Sequence, residues 1–339
     1  MFKGIFSCLI ISSLLLTACM TPNWINDPYS KVNKNESLAA VGSGNSRLSA
    51  ENNARANLIS QFELNFTAHE SIIEIFEHVV RSDGAESWYN HLDYNMRYSL
   101  VTGIDNLAGS EIAGSWENRR GVHFSLVALD LQRASRVYTD IVRANLSTID
   151  ILINIPEIEK YSLNGYSRLQ LAGAIADLTY FYGNILRQIG TPVQGIRNGD
   201  LYRIEAMDIL RTIPVSIVIS KAASVDTSNK IQSAFAGAIS NLGLLIGDDS
   251  SRYVLDISIF LTPVTFSNSR HFWSRIEIIA NLNDSYNDLV LLPFSFNERD
   301  GHSSQEEADH SAILSAENRI INEYSTLLGN YLFRLLPQS

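Results

Sequence analysis

Cysteine is nearly absent from this chain. Cys8 and Cys19 are the only two in 339 residues, which excludes a disulfide scaffold and a cysteine-type zinc site. Positive charge is also short, with 26 Lys and Arg against 36 Asp and Glu for a net charge of −10. Nucleic-acid phosphates demand clustered cations, so that balance argues against a nucleic-acid partner. Charged residues of both signs reach only 18%, below the roughly 25% of an average soluble chain. Asn and Ser fill the gap and solvate a surface without charging it. Reactive signatures are missing too: there is no Gly-x-Ser-x-Gly elbow, no phosphate-binding loop and no His-Glu-x-x-His helix. What the chain does have is apolar material, at 45% of residues. That is enough for real cores, and the length suits about two domains.

The N-terminus carries the clearest signal. Lys3 is the only charge before Asp27, and Gly4 to Leu16 is almost continuously apolar. A basic start followed by a short apolar run is a secretory signal pattern. The run is shorter than the roughly 20 residues that a spanning helix needs. It ends in Leu16-Thr17-Ala18-Cys19, which resembles the bacterial lipobox. The resemblance implies that the Cys19 thiol receives a diacylglyceryl group and that lipoprotein signal peptidase then cuts before it. Cys8 and Lys3 would leave with the signal peptide, taking the side-chain net charge from −10 to −11 and leaving no free thiol. Acyl chains contribute about 0.8 kcal/mol per buried CH₂, so several of them hold a protein to a bilayer without spanning it. The residue after the cysteine is Met20, not Asp, which fits export to an outer membrane.

Residues 20–37 are polar and hold Pro22 and Pro28, so they read as a tether. Trp24 within it either sits at the membrane interface or docks on the folded domain. Leu38 to Gly44 is a short apolar strand ending in glycines. A helical stripe follows through Ala50, Ala54, Leu58, Phe62, Phe66, His69, Ile73, Phe76 and Val80. Gly42-x-Gly44 suggests a phosphate loop, but the third glycine and the later acid are missing, so a tight strand-to-helix turn is expected. His69 lies on the apolar stripe and reads as a core histidine. Gly109–Trp116 and Val122–Leu131 form a hairpin around a turn holding Arg119 and Arg120. Helices are expected from Leu131 to about Ile155 and from Ser167 to Ile189.

Pro22-Asn23-Trp24, then Ala40-Val41-Gly42-Ser43-Gly44, an alanine-studded helix, and Trp116-Glu117-Asn118-Arg119-Arg120-Gly121-Val122-His123-Phe124 follow one another in order. This series resembles the Lpp-twenty-type bacterial lipoproteins and is similar to the N-terminal domains of the flagellar proteins FlgT and FlgP, over residues 22 to about 135. The resemblance implies a small α/β domain in the outer envelope, often tied to motility, with no catalytic residues to transfer.

Three glycines and a proline in residues 190–199 mark a linker. Beyond it come a strand at Ile213–Ile219, a helix at Asp226–Leu242 and a short strand at Leu244–Ile246. Alternation then gives half-buried antiparallel strands at Tyr253–Thr265, Phe272–Leu282 and Leu289–Phe296. The chain closes in a helix from about Gln305 to Leu336, with capping boxes pairing Ser303 with Glu306 and Ser304 with Glu307. Its buried stripe reads Ala308, Ala312, Ala316, Ile320, Tyr324, Leu327, Tyr331 and Leu335. His302 and His310 lie among Asp300, Glu306, Glu307 and Asp309. A metal needs three or four convergent ligands, and these acids already have cap and solvent roles, so none is expected. The strand–helix–strand–strand–strand–strand–helix order, with Arg252 to Ile259 and the Ser-Ser-x-Glu-Glu-Ala helix start, resembles the N-terminal domain of TolB and related domains of FlgT and of lipoprotein activators of peptidoglycan synthases. That resemblance covers residues 210–336 and implies protein–protein docking in the periplasm.

The expected fold is thus α/β in the α+β sense. It has two small domains, each a mostly antiparallel sheet packed with helices, and a long helix pair. The expected divisions are a signal peptide at 1–18, a lipidated tether at 19–37, a first domain at 38–189, a linker at 190–205 and a second domain at 206–337. The expected site is one of lipidation at Cys19, recognised through Leu16, Thr17 and Ala18. No catalytic residue, cofactor or metal is expected. The expected role is a non-enzymatic structural or interaction lipoprotein of the bacterial envelope, at the outer membrane. Its partners would be the membrane, envelope proteins such as flagellar ring components, and a second copy of itself. The alternatives are a regulator of peptidoglycan synthesis and a carrier of a small apolar ligand.

Overall fold

The computed structural model describes residues 21–62, 107, 109–267 and 269–335. The chain divides into two compact units. Of the described residues, the first takes those from 21 to 149 together with 175–197, and the second takes 150–174 together with those from 198 to 335. Both pair sheets with helices, an α+β fold.

In the first unit β1 (Ser37–Gly44) is followed by α1 (Arg47–Ser60), with β2 (Ser110–Glu117) and β3 (His123–Asp130) next among the described residues. The strands form one antiparallel sheet in the order β1-β3-β2. Ser46 starts α1, its hydroxyl accepting from the Ser49 N–H. The turn between β2 and β3 is built by Asn118, whose Oδ1 accepts from the N–H groups of Arg120 and Val122 at 2.9 and 3.0 Å. Gly121 supplies the positive φ of 76° that this turn needs. Two long helices follow in the chain, α2 (Leu131–Ile153) and α4 (Leu163–Gln188), with the single turn α3 (Glu157–Lys160) between them; residues 131–149 and 175–188 belong to this unit, and α3 to the second.

Strand alternation gives this sheet two apolar faces. Ala40, Val127 and Leu129 meet Ala54, Leu58 and Phe62 from the α1 side, and Tyr138, Val142, Tyr182 and Ile185 from the helix pair. The rings of Tyr138 and Tyr182 stack at 5.4 Å, and burial raises the Tyr182 pKa. Ala39 and Leu126 point the other way, where Trp24 covers them.

Two boundaries differ from the sequence reading. The tether expected over 19–37 is packed from Pro22 on: Asn23–Ile25 and Pro28–Ser30 are 3₁₀ turns, and Trp24 is only 7% exposed. The stretch expected as a linker over 190–205 packs back in its first half and turns helical in its second. Ile196 sits where a side chain on Gly183 would stand, its Cδ1 2.3 Å from that Cβ position. At Gly199 the chain enters α5 (Gly199–Leu210), capped by Asn198. Turn residues give the glycines and the proline their local bends but do not stop the apolar residues between them from finding a core.

The second unit holds a five-stranded sheet in the order β5-β4-β6-β7-β8. Its elements are β4 (Pro214–Lys221), α6 (Val225–Asn241), β5 (Leu245–Ile246), β6 (Tyr253–Val264), β7 (Phe272–Asp284), β8 (Leu289–His302), α7 (Gln305–Arg319) and α8 (Ser325–Phe333). The order is the expected one, but the sheet is mixed. β4 pairs in parallel with β5 and with β6, while β6, β7 and β8 are antiparallel. β8 runs to His302, well past Phe296, because Asn297 to His302 keep their register against β7.

Leu255, Ile257 and Ile259 of β6, Ile276 and Ile278 of β7, and Phe294 and Phe296 of β8 are all buried. Phe235 of α6 meets Phe294 and Tyr324 edge-on, at 6.2 and 4.9 Å. The expected single C-terminal helix is broken by a π-helical turn at Ile320–Tyr324. Beside the buried Ile313, a buried stripe runs Ala308, Ala312, Ala316, Ile320, Tyr324, Leu328 and Leu332 at a spacing of four. An α-helix drifts by about 40° at each such step. The wider π turn takes up that drift, so Leu328 and Leu332 are buried in place of the expected Leu327 and Tyr331.

Candidate functional site

The residues expected to carry the lipid, Leu16, Thr17, Ala18 and Cys19, lie outside the described residues, as does His69. The chain that follows them is well defined. Asp27 caps the Pro28–Ser30 turn, its carboxylate accepting from the Tyr29 N–H at 3.1 Å. The Trp24 indole lies on Ala39 and Leu126, flanked by Ile25, Tyr29, Val41, Trp116 and Phe124. Gly114 of β2 makes room for it, since a Cβ there would stand 3.3 Å from the indole ring. Lys31 Nζ lies 5.8 Å from the Trp24 ring centroid and Lys34 Nζ 5.7 Å from that of Tyr29. Of the two roles open to Trp24 in the sequence, the structure shows docking on the domain.

A cleft of about 890 Å³ lies in the second unit where the N-termini of α6 and α7 approach the end of β6. Ser224, Lys230, His302, Glu306, His310 and Leu314 are among its lining residues. Ser304 caps α7 with the predicted Glu307 contact, accepting from its N–H at 3.3 Å. Glu307 also receives Ser303 Oγ and lies 2.7 Å from His302 Nδ1. The Ser303, His302 and Ser304 contacts hold its carboxyl below the usual range. Ser303 Oγ lies 3.3 Å from the same Nδ1, so serine and acid meet one imidazole nitrogen. A relay would need them on opposite nitrogens. Lys230 is paired with Asp226 at 2.9 Å. Among the described residues, no three of His, Cys, Asp and Glu come together as a metal-ligating set, and no helix is long and apolar enough to cross a membrane.

A polar centre that the sequence reading missed lies at Arg252. Its guanidinium grips Asp284 with two bonds of 2.9 Å and reaches Glu159 at 3.0 Å. Tyr253 and Tyr286 lie against it at 5.4 and 5.0 Å. Asp284 also accepts from the Tyr286 N–H and from Asn287 Nδ2, and its side chain is 2% exposed. Burial alone would raise the Asp284 carboxyl, but the Arg252 contacts outweigh it and the net shift is downward. Burial alone would lower Arg252, yet its partners raise it overall. Beside this pair Tyr253 Oη accepts from the Leu163 N–H at 2.9 Å, seating the start of α4. These partners are 32 to 93 residues apart in sequence, and no local motif could have announced them. The centre fastens Glu159, Asp284 and the start of α4 to β6.

No protein-family model and no curated protein matches the chain. Among solved structures it is similar to a secreted protein of Helicobacter pylori, at 14% identity and a TM-score of 0.41, over 85% of this chain and 98% of that one. It is also similar to a lipoprotein of Neisseria meningitidis, at 14% identity and a TM-score of 0.24, over 33% of this chain and 100% of that one. A third is the PelC dodecamer of Paraburkholderia phytofirmans, at 15% identity and a TM-score of 0.23, over 32% and 88% of the two chains. With TM-scores under 0.5 and identities of 14–15%, these likenesses carry neither a fold nor a residue role to this chain.

Proposed function

We infer that this chain is a non-enzymatic lipoprotein of a bacterial cell envelope, acting as a structural and interaction module. The observation that carries this reading is Leu16-Thr17-Ala18-Cys19 at the end of a short apolar run behind Lys3. A thiol at that place is an acylation site, and acylation fixes the protein to a membrane surface without a spanning helix. Two sheet-and-helix units on one anchor suit docking of other envelope proteins. The finer reading is service in an outer-membrane assembly such as a flagellar ring. It is supported by the resemblances at residues 22–135 and 210–336, which stand in the order in which FlgT uses such domains.

The test is fractionation of cells grown with labelled palmitate, comparing the native protein with Cys19→Ala, followed by crosslinking of the native protein. The native protein is expected to carry label and to sediment with the outer membrane, and the variant to lose both. Capture of ring components would support the flagellar version. An unchanged membrane fraction for Cys19→Ala would refute the anchor.

A further inference from the structure

The chain between the anchor and the fold is very short. Only Met20 and Thr21 separate Cys19 from Pro22. Three Cα steps span at most about 11 Å. From Pro22 onward the backbone is committed to the first unit. Ile25 N donates to Pro22 O at 3.1 Å, and Asn26 and Asp27 donate to Asn23 O at 3.1 and 3.0 Å. The Trp24 indole behind these turns lies on Ala39 and Leu126, so the segment cannot peel away without exposing it. Lys31 and Lys34 are exposed on the same segment, beside the Trp24 and Tyr29 rings, and Asp27 and Glu36 are exposed with them. A lysine is drawn to an anionic headgroup layer, but Asp27 and Glu36 offset the two lysines, so the short reach from Cys19 sets the approach. The opposite face of the sheet is taken by α1.

We propose that the first unit is seated directly on the phospholipid headgroup layer through the Trp24-bearing face of the β1-β3-β2 sheet, with Lys31 and Lys34 against lipid phosphates and α1 turned away. This rests on the anchor reading, since it takes Cys19 as the acylated residue. It goes beyond that reading because an anchor alone leaves orientation open. The partner is the bilayer surface itself, and the usual flexible arm between lipid and domain is missing.

The experiment uses the full acylated protein in vesicles of phosphatidylethanolamine and phosphatidylglycerol. With Cys8 and Cys19 the only cysteines, the mature acylated chain has no other thiol. Asn23→Cys and Ala56→Cys therefore give single nitroxide sites on the lipid-facing segment and on the exposed side of α1. A nickel chelate carried on lipid headgroups is expected to relax the label at position 23 several-fold more than the label at position 56. A Gly/Ser insert of twelve residues between Met20 and Thr21 is expected to bring position 23 down towards position 56. Equal relaxation at the two sites in vesicle-bound protein overturns the seating alone, whereas an insert without effect shows that the face holds to the headgroups without the short arm. Protein that never partitions to the vesicles overturns the anchor reading together with the seating.

Discussion

The side-chain amide of Asn57 donates to the carbonyl of Val41 at 2.8 Å. It is the middle rung of three. Asn53 reaches Ser43 O at 2.7 Å and Gln61 reaches Ala39 O at 3.1 Å. Four residues along a helix rise about 6 Å, and two residues along a strand advance about 6.7 Å. Amides four apart therefore fall into step with carbonyls two apart. β1 is an edge strand, and α1 closes that edge against pairing with another chain. Replacing Asn53, Asn57 and Gln61 together with alanine is expected to cost about 3 kcal/mol, at about 1 kcal/mol per lost bond. It should also produce concentration-dependent association in sedimentation velocity. A triple variant with native stability and monomer-like sedimentation would show that the ladder closes nothing.

The ladder depends on how closely α1 approaches β1. A Cβ at Gly42 would stand 2.1 Å from Ala54 N, whereas one at Gly121 would meet nothing within 4 Å. Gly42→Ala should thus cost about 3 kcal/mol or more, through backbone displacement. Gly121→Ala should cost only the roughly 1–2 kcal/mol of a left-handed backbone. Urea midpoints of the two variants check the order, and equal losses would argue against the close approach.

Trp24→Ala should lower stability by about 3–5 kcal/mol, the usual cost of removing a buried ring. A free tether would lose nothing. The same substitution should make the bonds near Asn23 newly sensitive to limited proteolysis.

Removing the Asp284 carboxylate leaves the Arg252 charge partly buried, and Asp284→Ala is expected to cost about 3–5 kcal/mol at pH 7. The pH dependence follows from the lowered folded-state pKa of Asp284. Its contribution is fully present above the unfolded-state pKa, near 3.9, and is lost as pH falls through the lower folded value. The stability gap between native protein and Asp284→Asn should therefore hold from pH 7 to about 5 and close in stronger acid. A gap that grew on acidification would contradict the pairing.

Most of the element pattern was legible because it is local. Alternation at Leu255, Ile257 and Ile259 marked a half-buried strand, and Ser304 with Glu307 marked a helix start. The parallel pairing of β4 with β6 was hidden, because nothing in alternation says which neighbour a strand will choose. The π turn at Ile320–Tyr324 was visible only as an unbroken spacing of four. The docking of Trp24 was an open choice in the sequence, because nothing local says that its indole will find Ala39 and Leu126. The ladder on α1 had a readable sign in Asn53, Asn57 and Gln61 at intervals of four, beside the apolar stripe. The Arg252 centre had none, since its members meet only through the fold.

The most direct test of the account is mass spectrometry of the N-terminal peptide of the protein isolated from cell membranes. The expected result is a chain that begins at Cys19 and carries a diacylglyceryl thioether with further acyl mass. An unmodified peptide running through Cys19, with residues before it still attached, would contradict the anchor and the seating built on it.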